Sequence, residues 1–158
     1  MLRALFALLS IAGLSLPVTT LDEKPRSFPR DAAAPRSVVI VTFTKAASKQ
    51  GAEWSRRLAE VKAKLPAEVF QVAVLEDVPR MFRSMAISGI AKQVPASMRD
   101  HFWIATEGGK DWKRCVGDGP AGEAFLFVLD GRSQISWRAH GACTEAKVQE
   151  LLTLPPPP

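Results

Sequence analysis

Val38-Val39-Ile40-Val41-Thr42-Phe43 is a continuous, largely β-branched run, short and bounded by polar residues, the pattern of a strand buried on both faces. From Gly51 onward, Trp54, Leu58, Val61 and Leu65 recur at helical spacing with Arg56, Arg57, Glu60 and Lys64 between them, and Pro66 closes the segment. That spacing predicts one amphipathic helix over a sheet face. Val69-Phe70-Gln71-Val72-Ala73-Val74-Leu75 then reads as a second buried strand. Strand, helix and strand in this order make a parallel pair with a right-handed crossover.

Downstream, Met81, Phe82, Met85, Ile87 and Ile90 follow Pro79 in a helical pattern interrupted by Gly89 and Pro95, predicting a second helix packed on the sheet. Pro95 to Gly119 is irregular, with loop signals at Gly108-Gly109 and Gly117-Asp118-Gly119-Pro120. Phe125-Leu126-Phe127-Val128-Leu129 is a buried strand and Asp130-Gly131 a turn. Ile135, Trp137 and Ala139 alternate with polar neighbours, which makes a hairpin. Thr144 is a candidate N-cap for a last helix with an apolar stripe at Val148, Leu151 and Leu152. The order β-α-β-α-β-β-α is that of a thioredoxin-like three-layer α/β/α sandwich, an α/β fold with a mixed sheet, a C-terminal hairpin and a helix.

Upstream, Met1-Leu2-Arg3 precedes an apolar and small-residue run from Ala4 to Leu16, too short for the ~20 apolar residues of a spanning helix. Residues 1–20 read as a signal peptide cleaved between Leu16 and Leu21, for a periplasmic or secreted protein. An uncleaved membrane anchor is the alternative, and a mitochondrial presequence is disfavoured by having Arg3 as its one basic residue before Lys24. Residues 21–36, rich in Pro and charge, read as a flexible tether, 37–154 as the folded domain, and 155–158 as a polyproline tail. The net charge of +5 in 158 residues is diffuse. It suits an anionic lipid surface or an acidic protein, while basic and aromatic residues do not interleave as nucleic-acid binders require.

A thioredoxin-type oxidoreductase places its attacking cysteine where the first core strand meets its helix, because helix-start amides favour the thiolate. Here that segment is Thr44-Lys45-Ala46-Ala47-Ser48-Lys49-Gln50-Gly51, with Ser48 and Gly51 where two cysteines would stand. Serine lacks thiol redox chemistry, so dithiol exchange there is excluded. The facing strand is entered through Glu123 and Ala124, without the cis-proline of redox members, and Pro120 reads as a loop proline.

Cys115 and Cys143 are the two cysteines. An exported pair suggests a structural disulfide, and the alternative is a reactive Cys143, at a helix start beside His140, or a reactive Cys115. His101 and His140 with these cysteines have the atom types of a metal site but no ligand spacing, so neither metal nor cofactor is expected. Of the four tryptophans, Trp54 and Trp137 fit apolar stripes. Trp103 and Trp112 lie among Arg99, His101, Lys110, Lys113 and Arg114, and read either as cover for a small core or as a protein-binding patch.

Pro95-Ala96-Ser97-Met98-Arg99-Asp100-His101-Phe102-Trp103, then Gly109-Lys110-Asp111-Trp112 and Val116-Gly117, resemble the mitochondrial ATP-synthase assembly-factor-ten family. So do Ala124 to Gly131, with Ile135, Trp137 and Gly141 after it and the helix through Leu152, the whole resemblance running from Val38 to Leu152. It implies a redox-inactive thioredoxin-like fold and a chaperone-like role in assembling the membrane sector of ATP synthase, although the start resembles an export signal and the client is open. The expected function is protein binding or assembly, with contact candidates Ser48, Arg99, Trp103, Trp112 and Lys113. The alternatives are a single-cysteine thiol peroxidase or thiol-disulfide protein, and a metal carrier.

Overall fold

The computed structural model describes residues 8–32 and 34–156. Arg36–Thr42, buried along its whole length, is a central strand, β4. It runs parallel to Glu68–Val74 (β5), with Ile40 opposite Gln71, and antiparallel to Phe125–Asp130 (β7), with Ile40 opposite Leu126. Gln134–His140 (β8) completes the hairpin. Lys45–Glu60 (α1) links β4 to β5, Arg80–Gln93 (α2) follows β5, and Glu145–Leu152 (α4) closes the chain, Thr144 capping it by accepting from the Lys147 amide.

Three parts differ from the expectation. The irregular stretch holds a further parallel strand, Phe102–Ala105 (β6), and a helix, Gly109–Val116 (α3). Residues 21–36 are not a tether. Pro25–Phe28 (β3) pairs with Leu16–Thr20 (β2), β2 pairs with β6, and Phe28 is completely buried. Leu9–Ser10 (β1) pairs with β8 at the other edge. Leu16–Thr20, read from sequence as the end of a signal peptide, therefore belongs to the sheet, whose order among the described residues is β1-β8-β7-β4-β5-β6-β2-β3. Residues 1–7 lie outside the described residues. At the far end, Pro155 accepts a hydrogen bond from the Arg36 guanidinium, while Pro157 and Pro158 lie outside the described residues.

Alternation along the strands sorts the core into two faces. Val38, Ile40, Leu126 and Val128 pack under Trp54 and Leu58 of α1 and Val148 and Leu151 of α4. Val39, Val41, Phe125 and Phe127 pack under Trp112, Cys115 and Val116 of α3, together with Phe28 and Trp103. The hydrophobic effect thus closes both sides of the sheet, as the sandwich requires. α2 covers the β5–β6 end through Ala86, Ile87 and Ile90, but Met81, Phe82 and Met85 of the same helix face solvent, contrary to the sequence reading.

Candidate functional site

The C-terminal end of β4 delivers the chain into α1. Thr44, extended at φ −138°, ψ 159°, caps the helix by accepting from the Ala47 amide at 3.2 Å. An extended cap residue followed by helical turns is how Ser, Thr, Asp and Asn start helices. Ser48 sits in the first turn, exposed, and its hydroxyl donates to the Lys45 carbonyl at 2.6 Å. Its oxygen is thus turned back onto the helix. Gly51 is buried against the sheet, where a Cβ would stand 3.1 Å from the Thr42 methyl, inside ordinary contact distance. The second cysteine position of a dithiol site is therefore taken up by helix-to-sheet packing.

Facing this helix start is the loop from Gly117 to Ala124 that enters β7, held to its surroundings by several hydrogen bonds. The Thr44 hydroxyl donates to the Ala121 carbonyl at 3.2 Å, and the Ala124 amide donates to Gln50 Oε1 at 2.9 Å. Glu123 Oε2 lies 2.6 Å from His140 Nδ1 at the end of β8. Below them Phe43 and Phe125 meet edge to face at 5.7 Å, with the His140 ring 5.9 Å from Phe125. The Lys113 ammonium lies 5.9 Å from the centre of the Phe43 ring, within the range of a cation–π contact. Gly119 fits over Phe125 because it has no side chain, since a Cβ would come within 2.6 Å of that ring. Pro120 has a trans peptide bond, the cis bond among the described residues being Phe28–Pro29.

The expected disulfide is absent. Both cysteines are free, Cys115 among the residues under α3 and Cys143 packed on the opposite face beside α1 and α4. A disulfide needs Cα atoms within about 7 Å, and the sheet lies between these two. Burial raises the Cys115 thiol pKa to about 11, with Arg138 partly offsetting it. Cys143 shares a shallow depression with Glu53, Arg56, Arg57, Thr144 and Glu145. Burial raises its pKa as well, against the attraction of Arg57. It precedes the cap residue Thr144 and so stands outside α4, and the His140 imidazole beside it in sequence is paired to Glu123 instead. The acidic thiol expected of a reactive Cys143 is not there.

Of the other contact candidates, Trp103 and Trp112 are buried in the core, the first donating to the Asp100 carbonyl and the second lying 4.7 Å from the Phe28 ring. They do not form an exposed patch. Arg99 is half-buried and tied to Asp22 and the Ala91 carbonyl. Ser48 and Lys113 remain on the surface, both near the α1 start. His101 pairs with Glu68 and stacks on Phe70. Among the described residues no three of His, Cys, Asp and Glu converge to hold a metal ion. No described helix is long and apolar enough to cross a membrane. Sequence reasoning missed Gln50, Glu123 and Phe43 as parts of this end. For Thr44 the available signal, a polar residue directly after an apolar strand, was not used.

No protein-family model matches the sequence, and no curated protein matches it. Solved structures do match. The pneumococcal exposed lipoprotein thioredoxin Etrx1 of Streptococcus pneumoniae superposes at a TM-score of 0.58 and 10% identity, over 88% of this chain and 98% of that one. The fold is thioredoxin-like. BsSco, a member of the Sco family of cytochrome c oxidase assembly proteins, matches at TM-score 0.54 and 12% identity, over 90% of this chain and 94% of its own. Peroxiredoxin Q of Xanthomonas campestris gives 0.57 and 16%, over 95% of each chain. At these identities the likeness shows the fold alone, and thioredoxin-like structures with different roles share it.

Proposed function

We propose that this chain is a thioredoxin-fold protein for binding or assembly, without thiol-disulfide activity, working on the exported side of a membrane. The observation that carries the reading is the α1 start. Ser48 and Gly51 occupy the dithiol positions, one with its hydroxyl turned onto Lys45 and the other packed on Thr42. The two thiols the chain does have lie on opposite faces of the sheet, so neither can resolve the other.

Assembly of a membrane complex is the finer form of the reading. It is supported by the resemblance of Pro95–Gly141 to the ATP-synthase assembly family and by the fold shared with a Sco-family assembly protein. Export is supported by the fold shared with an exposed lipoprotein thioredoxin, while Leu9, Ser10 and Leu16 of the apolar run from Ala4 to Leu16 stand in the sheet. Because β2 and β3 belong to the folded sheet, the form of the protein that folds is one that keeps Leu16–Thr20. The rim around Ser48, Lys113 and the Gly117–Ala124 loop is the contact surface we assign to the partner.

The test pairs an insulin-reduction assay and a peroxide-consumption assay with photocrosslinking from position 48 in cells. The reading expects neither activity above that of the Cys115→Ala/Cys143→Ala variant, together with a discrete crosslinked protein. Turnover that disappears with Cys143→Ala would instead establish the thiol-enzyme alternative.

A further inference from the structure

The outward face of α2 is apolar where a helix covering a sheet is ordinarily polar. Met81 is 78% exposed, Met85 71% and Phe82 50%. Met81 and Met85 are one turn apart, so they stand side by side on the surface. The inner face is already used, by Ala86, Ile87 and Ile90 against Leu75, Phe102 and Ile104. The exposed triad is therefore surplus to the fold, and apolar residues grouped on a surface mark an interaction site.

Charge identifies what it meets. α2 carries Arg80, Arg83 and Lys92 and no carboxylate. Among the described residues none of these three cations lies within ion-pair distance of an Asp or Glu. Arg83 turns to the Val78 and Glu76 carbonyls, while Arg80 and Lys92 are exposed near the two ends of the helix. The remaining outward residues, Ser84, Ser88, Gly89 and Gln93, are uncharged, and a Cβ at Gly89 would meet open space. The depressions around Leu9–Leu14 and around Cys143 lie away from this face. A soft surface accepts side chains protruding from a helix without a preformed groove, and headgroup phosphates supply the missing counter-charge.

We propose that α2 is a membrane-contact helix, lying along an anionic lipid surface with Met81, Phe82 and Met85 in the interfacial layer and Arg80 and Lys92 on lipid phosphates. This goes beyond the binding role assigned above and stands independently of it, since it uses a helix that takes no part in the α1 rim.

Flotation of the full chain with phosphatidylglycerol-containing vesicles, compared with pure phosphatidylcholine vesicles, tests it. Each cation held near an anionic leaflet strengthens binding about fivefold. Arg80→Gln/Lys92→Gln should accordingly weaken binding more than about tenfold, and molar salt should do the same by shrinking the screening length to about 3 Å. Met81→Ser/Phe82→Ser/Met85→Ser should abolish binding while circular dichroism and thermal unfolding stay unchanged, because these side chains are exposed. Wild-type protein that floats with neither vesicle overturns the proposal, and so does binding that survives both α2 variants, which would place the contact at another segment such as the apolar N-terminus. Equal binding to both vesicle types overturns the role given to the cations. A protein that α2 retains in the absence of lipid, with no vesicle binding, would make the face a protein-docking surface instead.

Discussion

Gln50 and Ala124 are 74 residues apart, and the Gln50 side chain accepts the Ala124 backbone amide at 2.9 Å. This bond joins the second turn of α1 to the strand entry that faces it. It leaves the Ala124 amide satisfied from within the chain. Together with Thr44 to Ala121 and Glu123 to His140, it makes the rim a pinned surface.

Gln50→Ala should leave the Ala124 amide, which is partly buried, without an acceptor. The expected cost is about 1–2 kcal/mol, read as a shift in the urea midpoint at unchanged slope. Hydrogen exchange should rise at residues 117–124 and not in β4 or β5. A variant with native exchange in that loop would show that the bond does not hold it.

Phe28→Ala tests whether the N-terminal hairpin belongs to the domain. Phe28 is wholly buried, 4.7 Å from the Trp112 ring and 6.0 Å from that of Phe127. Truncating such a side chain costs about 3–5 kcal/mol, whereas an aromatic in a tether would cost nothing measurable. Removing residues 1–21 should destabilise at least as much, because it deletes β1 and β2 and leaves β3 unpaired. Amino-terminal sequencing of the protein recovered from its host should then find a start before Leu16.

The parts legible in the sequence were those whose periodicity is local. β4, β5, β7 and β8 carry runs of six or seven residues, and α1 shows its stripe at Trp54 and Leu58. β6 is only four residues, too short to display a period. The α3 signal was present but overlooked. Trp112, Cys115 and Val116 stand at i, i+3 and i+4 and all point inward, while Lys113 and Arg114 between them are exposed. The protein-binding alternative for Trp112, one of the two readings left open, took adjacency of those cations in sequence for adjacency in space. The N-terminal strands were hidden for another reason. The apolar run through β1 and β2 matches an export signal, and although β2 and β3 form a local hairpin, the strands that join β1 and that hairpin to the sheet, β8 and β6, lie more than eighty residues away. At the candidate site Ser48 and Gly51 were legible from their offset after β4, but Gln50 and Glu123 act through tertiary contacts that no local pattern announces.

Gly109→Ala should strip α3 of its first contact. Glu76 Oε2 accepts the Gly109 amide at 2.7 Å, and a Cβ there would stand 2.0 Å from that same oxygen. The carboxylate must move away, which removes an acceptor and a negative charge from the positive end of the helix. Glu76→Ala should cost about 1 kcal/mol, as loss of a helix cap does. The double variant should cost little more than Gly109→Ala alone, because both remove one interaction. Fully additive costs in thermal or urea unfolding would show that the carboxylate does not cap α3.

The thiols make the last prediction, and its sign follows from burial. Cys115 is completely buried and keeps its proton up to a pKa of about 11, whereas the unfolded chain releases it near the ordinary thiol value of 9.0. Above pH 9 the native state therefore binds more protons than the unfolded one, and stability falls as pH rises. The loss should approach about 2–3 kcal/mol by pH 11, since each unit is worth about 1.4 kcal/mol, and Cys115→Ala should flatten the profile over that window. Cys143 is half-buried and its pKa is raised too, so it should label slowly in the folded protein at pH 8, while Cys115 labels only in denaturant. One thiol titrated before unfolding and two after, without added reductant, is the expected count. A count of none in denaturant would mean that the cysteines are bonded and that the sheet does not stand between them.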